Sequence, residues 1–326
     1  MNRADLQDLA ALGMHYGGVK SVPPYSFHAS LRRRASATGF GRHTMRPSMR
    51  HLLSSSRMLL VTVCLTLPAS LLAQTVSAAA GSAAGIQPQV DAFRTSLGPL
   101  NTNTVGSFGS GRREIDWDGV PNTFASPNGL PGNFFNVTSP RGVLFSTPGS
   151  GFALSANAGV APILFSDIDA TYAQTFSAFS AQRIFTAIGS NIVDVRFFVP
   201  RTTTAALTLG FGAIFSDVDL AETTSLQFFD GSNASLGTFF APTGIFSFLG
   251  VSFGSSSVGR VRITSGNIAL GSGASDQNGV ARDVVAMDDF IYAEPTVVPE
   301  PGTYGMLGTG LFALALLKHG RRRKRA

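Results

Sequence analysis

VGRVRIT, residues Val258–Thr264, alternates between two kinds of side chain. Val261 and Ile263 fall on one side, and Arg260, Arg262 and Thr264 on the other. A period of two is the mark of a strand with one buried face and one wet face. The surrounding chain repeats the theme. NIVDVRFFV (191–199) reads as a strand that turns apolar at its end, and ALTLGFGAIF (206–215) as a central, nearly continuous apolar strand. Leu226 and Phe228 lie just before a turn at 230–233, and VVAMDDFIYA (284–293) reads as the last strand. Phe, Val, Ile and Thr favour pleated surfaces, while the frequent Gly, Pro and Asn mark turns. No amphipathic helix stands out. Short strands separated by turns in this way predict an all-β fold over 105–293, a β-sandwich of jelly-roll type. FSDID (165–169) and FSDVD (215–219) echo each other, but five residues do not make a repeat.

Charge is partitioned along the chain. The whole sequence carries a net +6. Residues 79–317, however, hold ten arginines against seventeen acids, and all the lysines lie outside that body. An acidic body argues against nucleic acid, whose phosphates need a basic surface. The five histidines and the single cysteine, Cys64, also fall outside it. A body without His, Cys or Lys excludes Ser-His-Asp triads, thiol nucleophiles, Schiff-base lysines and the usual zinc sites. The sequence reading is therefore non-enzymatic. A carboxylate-dependent polysaccharide hydrolase is the alternative, although no motif marks a catalytic pair.

Both ends read as targeting segments. Arg46, Arg50 and Arg57 precede the apolar run MLLVTVCLTLPASLLA (58–73), which makes 45–78 a signal peptide. Cleavage fits after Ala73 or after Ala78, and the sequence favours Ala78. Residues 1–44 read as a spurious or disordered extension, with the true start at Met45 or Met49. Residues 79–104, rich in small and polar side chains, read as a flexible lead-in. At the other end, a linker over 294–302 contains Val298, Pro299, Glu300 and Pro301. An uncharged run, TYGMLGTGLFALALL (303–317), follows, and then Lys318, Arg321, Arg322, Arg323, Lys324 and Arg325. An apolar run closed by a basic block is the pattern of a transmembrane helix with a cytoplasmic end at 318–326. Fifteen residues reach about 22 Å, short of a hydrocarbon core of ~30 Å.

This ending resembles the PEP-CTERM sorting signal: Val-Pro-Glu-Pro at 298–301, an apolar helix, then an arginine-rich end. The resemblance covers about the last thirty residues. It implies export in a Gram-negative bacterium and transient residence in the inner membrane. It also implies processing by a membrane exosortase, delivery to the cell surface or extracellular polymer, and a link to exopolysaccharide and biofilm. A permanently anchored adhesin is the other outcome. Within the body, Asp217, Asp219 and Asp289 are the best candidates for a calcium site, because hard cations take carboxylate and carbonyl oxygens. Trp117, the one tryptophan, sits between Asp116 and Asp118 and is the candidate glycan contact.

Overall fold

The computed structural model describes residues 73–275 and 281–297 and, in the tail, Gly308, Gly310, Leu311, Phe312 and Leu314. The first described elements are β1 (Gln74–Gly81) and helix α1 (Ala83–Leu97). Strands β2 (Arg112–Ile115), β3 (Val143–Ser146), β4 (Gly151–Leu154), β5 (Phe185–Ile188) and β6 (Ile192–Phe197) follow. Next come β7 (Ala206–Leu207), β8 (Gly210–Val218), β9 (Ser225–Asp230), β10 (Ser235–Phe240) and β11 (Gly244–Phe253). The last are β12 (Val258–Thr264), β13 (Ala286–Ala293) and β14 (Thr296–Val297).

Two antiparallel sheets carry the fold. One has the order β1-β11-β8-β13-β5-β4, with β2 also paired to β13; the other runs β10-β9-β12-β6-β3. Their facing sides merge into one core. Phe197 lies 5.7 Å from Tyr292 and 6.3 Å from Phe211, and Phe228 lies 5.4 Å from Phe253, each pair joining the two sheets. The alternation in β12 is realised: Val261 and Ile263 are fully buried in that core. The apolar run at 206–215 splits into β7 and the start of β8. The two FSD echoes differ in structure, since Phe165 ends a 3-10 turn while Phe215 lies within β8.

The lead-in expected to be flexible over 79–104 is instead β1 and α1. Ser82 caps the helix, its hydroxyl accepting from the Gly85 N–H at 3.2 Å. Ile86, Val90, Phe93 and Leu97 form one stripe, which is buried against the outer side of the seven-stranded sheet with Ile214, Phe248 and Ile291. Gly98, at φ 99°, ends the helix. Pro88 and the small residues of this stretch hide the period, and burial of the stripe overrides their low propensity.

The segment expected as an open linker from 294 is also tied down. Glu294 is fully buried against Arg113 (2.7 Å), and Thr296–Val297 pair with Ala206–Leu207. The transmembrane helix expected over 303–317 lies largely outside the described residues. Among the described residues no helix is long and apolar enough to cross a membrane, and the run is shorter than a hydrocarbon core.

Candidate functional site

The outer face of the five-stranded sheet collects charge in register. Arg260 lies opposite Arg196 on one side and Phe229 on the other, and Arg262 lies opposite Asp194 and Gln227. Two cross-strand rows therefore present three guanidinium groups on one surface. Arg260 stacks over Phe229, its central carbon 3.6 Å from the ring centroid. It also donates to Asn233 Oδ1 and to Asp194 Oδ1 (2.8 Å). Arg262 grips both Asp194 oxygens at 2.9 Å. Burial alone would raise the Asp194 carboxyl, but hydrogen bonds from Arg262 and Arg260 hold it below the ordinary value.

Arg196 differs from its neighbours. It is exposed and makes no ion pair among the described residues. Beside it opens a cleft of about 550 Å³, lined by Arg196, Arg260, Asp230 and Asn233 on the polar side and by Phe198 and Leu207 on the apolar side. Three arginines against Asp194 and Asp230 leave this face with a net excess of one positive charge on an otherwise acidic body. The alternation of 191–199 and Val258–Thr264 carries the signal for it. What the sequence alone hides is the pairing that sets Arg196 beside Arg260.

The sequence-predicted residues fall elsewhere. Trp117 is 1% exposed and stacks on Phe185 with ring centroids 4.3 Å apart. Its indole N–H donates to the Asp288 carbonyl at 2.9 Å, so it is a core residue and not a surface glycan contact. The calcium trio is not assembled. Ser216 pairs with Ala286, so Asp217 continues along β8 away from Asp289. At ~3.3 Å per residue the two are separated by roughly 10 Å along the strands. Asp219 donates its N–H to the Asp283 carboxylate at 3.0 Å. No group of three or more His, Cys, Asp or Glu able to hold a metal occurs among the described residues.

Asp288 and Asp289 occupy a register shift in β13, which lets both carboxylates enter protein. Asp288 accepts from the Phe179 N–H (2.6 Å) and the Ser180 hydroxyl (3.0 Å). Asp289 pairs with Arg94 at 3.0 Å, and Arg94 also holds Glu114 at 3.1 Å. Burial pushes both carboxyls up, Asp288 further raised by its neighbour Asp289, and Asp289 to about 6 against the pull of Arg94. Through Arg94, Asp289 and Glu114 staple α1 to the sheet, while Asp288 holds the 179–180 segment.

The two sheets and the paired final strand describe a β-sheet body that reaches Val297. Residues 297–323 match the family model described as the PEP-CTERM protein-sorting motif. The tail is thus a sorting signal of exported, exosortase-processed proteins. Val298, Pro299, Glu300 and Pro301, like the basic residues from Lys318 to Arg325, lie outside the described residues. No curated protein and no solved structure matches the chain.

Proposed function

We propose that this is an exported cell-surface or extracellular-matrix protein whose body, a jelly-roll-like β-sandwich, binds acidic polysaccharide without cleaving it. The observation that carries the reading is Arg196: an exposed guanidinium with no acidic partner among the described residues, on a positive sheet face, at the rim of a 550 Å³ cleft. A guanidinium fork matches a sugar carboxylate, and the Arg260–Phe229 stack offers a flat surface beside it. The sorting signal supports delivery to a compartment where such polymers lie, and it suits a role in exopolysaccharide or biofilm.

The test is equilibrium binding of the full chain to a polyuronate, with neutral dextran as control. Binding to the polyuronate alone, weakened at least tenfold by Arg196→Ala and by rising salt, is expected. Equal binding to both polymers, or an unchanged Arg196→Ala, rejects the reading. Release of reducing ends would favour the hydrolase alternative. Membrane retention with the Arg325 end attached would favour an anchored adhesin.

A further inference from the structure

Strand β1 bears on which of the two candidate cleavage positions fits the fold. β1 pairs with β11 over eight consecutive positions, from Gln74 opposite Phe253 to Gly81 opposite Phe246. Cleavage after Ala78 would discard the first five of these and leave only Ala79, Ala80 and Gly81 in the ladder. The strand uncovered would be GVSF and its flanks in β11, part of the ten-residue, uncharged, phenylalanine-rich GIFSFLGVSF. A bare apolar edge of that kind templates aggregation. Ala79 also packs against the cluster beneath α1, so a chain end at that residue would loosen the helix too. Cleavage after Ala73 forfeits one bond of the ladder's end, the one donated by the Gly254 N–H to the Ala73 carbonyl at 2.9 Å.

Access points the same way. In the folded body the Ala78–Ala79 bond lies inside a paired strand, opposite Leu249 and Phe248, whereas the Ala73–Gln74 bond lies at the strand's outer end. A protease needs its substrate as unpaired chain, so folding protects the first bond and leaves the second reachable.

The geometry points to hydrolysis of the Ala73–Gln74 peptide bond by a membrane signal peptidase as the maturation step. This rests on the export reading above. Water adds across that bond, leaving a carboxylate on Ala73 and a free α-amine on Gln74. It displaces Ala78, the position the sequence favours.

The exported protein, produced from the full chain in an export-competent Gram-negative cell, is labelled at its α-amines, digested at arginine and mapped by mass spectrometry. The expected terminal peptide is 74–94, as the labelled amine or as the cyclised form in which that amine has displaced ammonia from the Gln74 side-chain amide. A labelled peptide 79–94 overturns the assignment while leaving export intact. A peptide running through from 58 to 94 overturns both. Ala73→Arg should block maturation and Ala78→Arg, on an exposed strand position, should leave the new terminus at Gln74; the reverse pattern also overturns the assignment.

Discussion

Trp117 packs against four phenylalanines, Phe135, Phe145, Phe185 and Phe290. Truncation to Ala should therefore cost roughly 3–5 kcal/mol, read as a fall in the urea midpoint. Because it is the only tryptophan, its fluorescence should be blue-shifted in the native state, should move red only on unfolding, and should not respond to polysaccharide. The buried carboxylates give a pH signature. Asp288 and Asp289, with Asp118 and Asp283, all have raised values, chiefly through burial. Folded protein thus holds more protons than unfolded protein between the ordinary 3.8 and about 6, and stability falls as pH rises through that window. Asp194, Asp169 and Asp230 are lowered, so their opposite slope lies below it. The buried Asp288–Asp289 pair carries much of this decline, and Asp289→Asn should flatten the dependence of the urea midpoint on pH between pH 4 and pH 7. None of this was legible in DWD or DD. Sequence shows that acids cluster; only the strand register and the arrival of Arg94 from a distant helix decide that they are structural.

At the scale of elements, the glycines in 206–215 acquire a reason. Gly212 and Gly250 face each other across β8 and β11, and a Cβ on either would lie 2.9 Å from the Phe93 ring. The sheet is hollowed at that pair to accept the helix. Gly250→Ala should push Phe93 out and destabilise the body by about 1–3 kcal/mol. Combining it with Phe93→Leu should cost less than the sum of the two single changes, and a double-mutant cycle on denaturation midpoints measures the coupling. Strict additivity would show that the ring does not occupy the notch. The strands themselves were legible, because alternation in 191–199 and Val258–Thr264 is a local property. The helix was not. Its stripe of Ile86, Val90, Phe93 and Leu97 is interrupted by Gly85 and Pro88, and its justification is a notch contributed by residues more than a hundred positions away. Gly-rich strands look like weak strands until the side chain that fills them is known.

Over the whole molecule, the ends carry the basic charge and the body carries the acid, and the last strand places the join. Glu294 is fixed by Arg113, by the Asn101 amide at 2.9 Å and by the Phe108 N–H at 3.2 Å. Three residues later Val297 pairs with Ala206, and Val297 is also the first residue of the matched sorting motif. One residue, Val298, therefore separates the last paired position among the described residues from Pro299. An enzyme that reads an extended peptide needs several residues of unpaired chain, and on the body side of Pro299 such chain is available only if β14 opens. The two-residue ladder of β14 on β7 is the piece that can open at low cost, whereas the buried Arg113–Glu294 pair behind it resists. Inserting Gly-Ser-Gly-Ser after Val297 supplies slack without touching either contact. It should speed loss of the basic C-terminal peptide in a pulse–chase experiment and leave the urea midpoint unchanged. An unchanged rate would mean that the motif is reached without opening β14, and the strand would then be a structural end to the fold with no bearing on sorting.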